Sequence, residues 1–430
     1  MKKFLARMLL PALLVALFLV ACGGGSSDKA STLGNVYVAG DANIALAAAP
    51  AVASPFNTAA LVVDSGPNRN SVNQLFTTIT LCKPASLTQC QTLSHVLVDT
   101  GSTGLRILAS VMSSSLQLSP VQGTGGTPVF GCANFLDGSY AWGPVALADI
   151  RIGGEVASNT PIQVVGKSAY NNLARPCSSS GTAIQSTNQL GATAILGVGL
   201  NKQDCGSACD PLTGNNPQNG IYFRCTDTSC SSVSGTTLGI AQQLQQPVAQ
   251  FASDNNGLAV VLGNVASNGQ VSQTGTLVFG LGTQANNQFG GLTTLLTDAY
   301  GNINTQVAGS GPLSALSLPT SFLDSGSNGL FFDSSITQCV GSNATFYCPA
   351  SSISTTAVLQ SGSATKSVAF TIGNADSLLS GTNAAVPALG GTVGDSTTFD
   401  WGLPLFYGRT VVIGIEGQAS AFGTGPLYAL

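Results

Sequence analysis

Two stretches of this chain repeat one pattern: His95-Val96-Leu97-Val98-Asp99-Thr100-Gly101-Ser102-Thr103-Gly104-Leu105, and Ser321-Phe322-Leu323-Asp324-Ser325-Gly326-Ser327-Asn328-Gly329-Leu330. Each is an apolar run that ends in Asp, a small hydroxyl residue, Gly, Ser, any residue, Gly and Leu. A single Asp-Thr-Gly is weak evidence, because Asp, Thr and Gly favour turns for local reasons. Two copies, one in each half of 430 residues and each closing a strand-like run, carry far more weight.

The rest of the sequence has the texture of strands. Apolar runs are short and rich in Val, Ile, Leu and Phe, and Gly, Ser, Thr and Asn separate them. That pattern predicts an all-β protein with few short helices. Ile240–Phe251 is the best helical stretch, and Pro247 interrupts it. The length predicts two lobes in place of one. Charged residues make up 7% of the chain, 14 basic against 18 acidic, so no basic face for nucleic acid is available. Hydrophobic residues make up 44% and are scattered, which argues for a folded core against disorder or membrane insertion.

The N-terminus reads as a targeting segment. Lys2, Lys3 and Arg7 precede an apolar stretch from Met8 to Val20, too short to span a bilayer comfortably. It ends in Leu19-Val20-Ala21-Cys22, which resembles a lipobox, where a diacylglycerol is attached to the cysteine before signal cleavage. Residues 1–21 are then a signal peptide and 22–56 a lipidated Cys22 with a flexible tether that opens Gly23-Gly24-Gly25-Ser26-Ser27. The alternative is an ordinary secretory signal with Cys22 incidental. Glycine, not aspartate, follows Cys22, and by analogy this favours the outer membrane.

With Cys22 set aside, ten cysteines remain, an even number that suits disulfides in an exported chain. Cys82 and Cys90 bracket a turn between strand-like runs. Cys205–Cys209, Cys225–Cys230 and Cys339–Cys348 are close enough in sequence for local loops, which leaves Cys132–Cys177. Other pairings remain open. A thiol metal site is the competing reading, but only His95 could supply a nitrogen ligand and no paired CxxC occurs, so no metal is expected.

Taken together, the two Asp loops resemble the paired active-site loops of pepsin-like aspartic proteases. The resemblance implies a bilobed fold with a cleft between two β lobes, residues 57–290 carrying Asp99 and 291–430 carrying Asp324. It implies a catalytic pair, Asp99 and Asp324, sharing one proton because two close carboxylates cannot both ionise. The ionised member would take a proton from water and the neutral one would hydrogen-bond the scissile carbonyl. Gly101 and Gly326 would let backbone crowd the carboxylates. Thr100 and Ser325 match the residues that bond across to the opposite loop, and Ser102 and Ser327 those that hold the outer carboxylate oxygens. Ile195-Leu196-Gly197 resembles the strand that crosses the first Asp loop. Asp400-Trp401-Gly402 resembles its counterpart in the second lobe, with Asp400 the poorer match. Gly275–Gly280 resembles the strand closing the first lobe, and Asn73–Leu81 the opening hairpin. The partner implied is a peptide or protein, with no cofactor; a monomer is favoured.

The chain also departs from the family. The mobile hairpin over the cleft corresponds to Phe135-Leu136-Asp137-Gly138-Ser139, with Phe135 in place of the usual tyrosine and Tyr140 as a possible substitute. That tyrosine ordinarily bonds a tryptophan, whose position Arg106 occupies here. Near a cleft, Arg106 would prefer an acidic or polar substrate group. Lys29 is the only lysine between Cys22 and Lys83, so a Lys-rich propeptide is not expected.

Other readings fare less well. His95 is the only histidine, so a Ser-His-Asp triad would have to use it, and it lies one strand-length before Asp99. No phosphate loop or dinucleotide fingerprint appears in strand–loop–helix context. Glycine turns in another β-sandwich would leave the duplicated placement a coincidence. From different classes come a tethered binder of peptide or cell-envelope ligands that does not cut, and a surface adhesin.

Overall fold

The computed structural model describes residues 57–135, 138–166, 177, 181–210, 221–226, 229–231, 238–309, 311–313 and 315–430. The signal peptide, Cys22, the tether and the hairpin residue Asp137 lie outside the described residues.

The chain is all-β, as its short apolar runs require. Two one-turn α-helices, Thr187–Leu190 and Ala375–Leu378, occur among the described residues, and none of the described helices is long and apolar enough to cross a membrane. Ile240–Phe251 forms no continuous helix. It makes two 3-10 turns, Ile240–Gln242 and Val248–Gln250, with Pro247 capping the second. Proline cannot donate an N–H to a helix. The glutamines instead spend their amides on backbone carbonyls: Gln243 donates to Gly206 and Leu238, and Gln245 to Ile240 and Gln243.

The two halves repeat one topology. In the first, Leu75–Cys82 and Cys90–Asp99 form a hairpin, and Thr103–Leu108 follows the Asp loop. The strand Ala194–Val198 then passes between the two arms, parallel to Cys90–Asp99 and antiparallel to Thr103–Leu108. In the second half Leu316–Leu323 and Leu330–Phe332 are the arms, and Phe399–Trp401 is the strand between them, again parallel to one and antiparallel to the other. Strands enclosed on both sides bury both faces. All five residues of Ala194–Val198 and all six of Thr103–Leu108 are buried, which is why these runs read as continuous and not alternating.

A six-strand antiparallel platform joins the halves. Its order is Thr58–Val63, Gln273–Phe279, Gly257–Leu262, Thr410–Gly414, Leu427–Ala429 and Thr294–Leu296. Each half supplies three strands, and the order read from either edge meets corresponding strands. The segment around Gly275–Gly280 is therefore part of this platform, and Leu75–Leu81 belongs to the opening hairpin as expected. Leu258, Val260, Leu277, Val411 and Ile413 sit in one large core cluster with Leu105, Leu196, Leu323 and Trp401, which couples the platform to both Asp loops.

Five disulfides form with the expected partners: Cys82–Cys90, Cys132–Cys177, Cys205–Cys209, Cys225–Cys230 and Cys339–Cys348. Cys82 faces Cys90, and Cys225 faces Cys230, across antiparallel strand pairs. Four bridges close loops of 4 to 9 residues, whereas Cys132–Cys177 spans 45. Loop-closure entropy grows with loop length, so this last bridge restrains the unfolded chain most. Replacing Cys132 and Cys177 together by Ser should lower unfolding free energy by about 4 kcal/mol, against about 2 kcal/mol for the Cys225–Cys230 pair. Urea titration of each double variant measures the difference, and equal losses would refute the ordering.

Candidate active site

The apolar strand Cys90–Asp99 runs into the interior, and its last four residues, Val96 to Asp99, are all buried. Leu316–Leu323 also ends inside, with Ser321 and Leu323 buried, and delivers Asp324. Both aspartates are 0% exposed. Inside each loop the carboxylate is held by its own turn. Gly101 N–H donates to Asp99 Oδ1 at 2.9 Å and Gly326 N–H to Asp324 Oδ1 at 2.7 Å. The Ser102 hydroxyl donates to Asp99 Oδ2, and the Ser327 hydroxyl lies 2.9 Å from Asp324 Oδ2. Gly101, Ser102, Gly326 and Ser327 thus hold the two carboxyls in matched geometry.

The loops are also bonded to each other. Thr100 Oγ1 donates to the Leu323 carbonyl at 2.9 Å and accepts from Ser325 N–H at 2.9 Å. Ser325 Oγ donates to the Val98 carbonyl at 2.7 Å and accepts from Thr100 N–H at 3.2 Å. Each hydroxyl thus satisfies one donor and one acceptor of the opposite lobe, all buried. The glycines make room for this approach. A Cβ on Gly101 would stand 2.6 Å from Asp324 Cγ, and one on Gly326 would stand 2.6 Å from Asp99 Oδ1. No side chain fits either place, so the two carboxyls meet.

Their electrostatics follow from burial. The Asp324 carboxyl is pushed well above the ordinary carboxylate range, first by burial, then by the negative charges of Asp99 and Asp400 and by its hydrogen bond with Asp99. Asp400 is a neighbour that sequence reasoning placed only as a poor match. It is 0% exposed, and its Oδ2 lies 2.6 Å from the Ser327 hydroxyl. Burial pushes its carboxyl up as well, against the hydrogen bond of Ser327, which pulls it down, and with a smaller upward contribution from the charge of Asp99.

Arg106 does not present its charge to a ligand. It is 3% exposed; one guanidinium nitrogen donates to the Thr103 carbonyl at 2.8 Å and another pairs with Asp204 at 3.2 Å. Tyr222 donates its hydroxyl to Asp204 and accepts from Leu244 N–H at 2.8 Å. Burial raises the Asp204 carboxyl to about 6, while Arg106 and Tyr222 pull the other way. The expected pull of Arg106 on an acidic substrate group is thereby withdrawn, because Asp204 already neutralises it. Asp204 and Tyr222 carried no signal in the sequence, being 98 and 18 residues from the groups they serve.

The hairpin residues divide by strand alternation. Val129–Asn134 pairs with Tyr140–Ile152, and Phe135 N–H closes the turn on the Ser139 carbonyl while Gly138 N–H bonds the Phe135 carbonyl. Phe135 is buried with Leu97, Leu108, Ala141 and Ile195. Tyr140 faces the opposite side, with Phe130, Cys132, Trp142 and Cys177. His95 sits at the start of the buried part of its strand and pairs with Asp64 at 3.3 Å, away from the serines of the loops.

Two matched loops, each penetrated by a strand of its own half and each offering one carboxyl to a shared centre, define a pepsin-like all-β fold. By sequence the chain belongs to the family described as "Protein of unknown function (DUF3443)", which matches residues 53–430. No curated protein matches it. Among solved structures, the aspartic proteinase from Irpex lacteus is similar over 86% of this chain and 96% of that chain, at 14% identity and a TM-score of 0.44.

The hydroxyl exchange between the loops is open to direct measurement. Thr100→Val keeps the shape but strands the Leu323 carbonyl and the Ser325 N–H, at about 1–3 kcal/mol for each buried group left unpaired. Denaturant unfolding should show a loss of about 2–4 kcal/mol, and a loss below about 0.5 kcal/mol would mean the contact does not hold the loops.

Proposed function

We propose that this chain is an aspartic peptidase, tethered to a membrane by lipid on Cys22, that hydrolyses peptide bonds with water activated by Asp99 and Asp324. The observation that carries the reading is the meeting of two buried carboxyls, each supported by a glycine N–H and a serine hydroxyl of its own loop. Two such groups share one proton, since ionising both would put like charges in contact away from water. The proton rests on Asp324, whose surroundings favour its neutral form. Asp99 accepts a proton from water as the oxygen attacks the carbonyl carbon. Asp324 gives its proton to the carbonyl oxygen, and the tetrahedral intermediate then collapses with protonation of the leaving amine. Because both carboxyls are fully buried, a substrate reaches them only when the cleft opens, and closure then excludes water from the reacting bond.

A second reading has one observation in its favour. The tyrosine–tryptophan contact of the pepsin-like family is replaced by Phe135 in an apolar cluster and by Arg106 bound to Asp204. A cleft remodelled in this way suits a protein that holds a peptide or envelope fragment without cutting it. The tether reading is supported by the basic start, the apolar stretch ending at Cys22 and the glycine-rich leash. The five disulfides agree with an oxidising compartment, and Gly23 favours the outer membrane.

Full-length protein in detergent should cleave members of an unstructured peptide library between about pH 3 and 7, and a pepstatin-type inhibitor should stop it. Asp99→Asn and Asp324→Asn should each lower kcat by about 10²–10⁴-fold or more. Peptide retained without cleavage by the wild type would replace the peptidase reading with the binding one. Separately, Cys22→Ala should abolish incorporation of labelled palmitate and release the protein from the membrane fraction. Unchanged labelling would remove the tether.

A further inference from the structure

The two lobes differ at one position beside the dyad. The strand inside the first loop places Ile195 opposite Arg106, and the strand inside the second places Asp400 opposite Phe331. Ile195 belongs to an apolar cluster, so Ser102 has one carboxylate to serve. Ser327 has two. Its hydroxyl lies 2.9 Å from Asp324 Oδ2 and 2.6 Å from Asp400 Oδ2.

Hydrogen counting limits what this arrangement can be. A serine hydroxyl carries one hydrogen and can donate to one of the two oxygens. The second contact is a hydrogen bond only if one carboxyl is protonated and donates to Ser327 Oγ. The Asp99–Asp324 contact needs a proton of its own. Three carboxyls joined in this way therefore hold two protons and one net negative charge. The other Asp400 oxygen, Oδ1, is buried with no hydrogen-bond partner, a position that suits the carbonyl oxygen of a neutral acid far better than half of a carboxylate.

We propose that Asp400 is a third acid of the site, a positioning residue that stores a proton and exchanges it with Asp324 through the Ser327 hydroxyl. In one arrangement Asp400 donates to Ser327 Oγ and Ser327 donates to Asp324 Oδ2. In the other, Asp324 Oδ2 donates to Ser327 Oγ and Ser327 donates to Asp400. Passing between them moves one proton from Asp400 to Ser327 as the Ser327 proton moves to Asp324 Oδ2 and the dyad proton shifts from Asp324 to Asp99, so Asp400 gains the negative charge that Asp99 loses. The cluster's charge and atoms are unchanged. The titratable groups facing Asp400 among the described residues are Asp324 and Asp99 on the two loops and Tyr428 on the C-terminal strand, whose phenol burial holds neutral.

The consequence for pH has a definite sign. As pH rises, the first proton lost from the cluster is supplied by Asp400, and the dyad keeps its own. The new carboxylate then disfavours loss of the dyad proton, so the dyad stays singly protonated to higher pH than two carboxyls alone would. Removing Asp400 moves that upper limit down. The relay role rests on the peptidase reading, whereas the proton on Asp400 does not.

Infrared difference spectra of the full-length chain in detergent, titrated from pH 5 to pH 9 in roughly unit steps, read protonated carboxyls directly and without a substrate. The wild type should keep a protonated-carboxyl band at neutral pH, and Asp400→Asn and Asp400→Leu should lose part of it. In peptide cleavage, both variants should show the alkaline limb of the kcat/KM profile moved to lower pH. At the wild type's upper half-maximal pH they should lose about fivefold, as a limb lying about one pH unit lower requires. A band identical in wild type and Asp400→Asn at every pH overturns the proposal, as does an equal loss of activity across the whole profile. If the band changes but the wild type cleaves nothing, the third acid stands and the peptidase reading falls.

Discussion

Two carboxylates do not come together in a protein interior of their own accord. Their mutual repulsion and the loss of hydration both oppose it, so something else must hold them. Here that restraint is the exchange of hydroxyls between Thr100 and Ser325, four hydrogen bonds in which each lobe satisfies buried backbone groups of the other. The platform of six strands sets the two halves in register behind it, and the glycines at 101 and 326 let the approach go to contact. Everything chemical about the site follows from that enforced meeting. A shared proton, a raised Asp324 and the absence of room for any side chain between the loops are its direct results.

The halves are duplicated in topology but not in chemistry. On the first side, Arg106 brings a full positive charge into the core, and Asp204 and Tyr222 are recruited to neutralise and orient it. On the second, Asp400 brings a carboxyl to a place where the first lobe keeps isoleucine. A buried charge is tolerated only with a partner, and a buried carboxyl without one is tolerated as a neutral acid. The two substitutions are resolved in those two different ways, and only the second changes the electrostatics of the dyad.

Much of the fold was legible because it rests on local pattern. Apolar runs cut by Gly, Ser, Thr and Asn mark strands wherever they occur, and the repeated Asp-hydroxyl-Gly-Ser stretch marks the loops. The disulfides were readable for the same reason, since four of them join cysteines at most nine residues apart and the fifth is what remains. Ile240–Phe251 misled because its spacing of apolar residues says nothing about buried glutamine amides, which found better partners in the carbonyls of Gly206 and Leu238. The resemblance placed Arg106 beside a cleft, as the counterpart of the family's tryptophan, but its environment is made by a residue 98 positions away.

The sequence by itself determined the all-β class, the two loops and the residue types that each loop needs, because these depend on neighbours a few residues apart. Only the tertiary structure decided that Asp99 and Asp324 touch, that Ser327 answers to two carboxyls, and that Arg106 is already paired. Those facts are set by distances between segments more than 70 residues apart in the chain. A buried charge takes its meaning from whatever lies within a few ångströms, and the linear order of residues does not contain that distance.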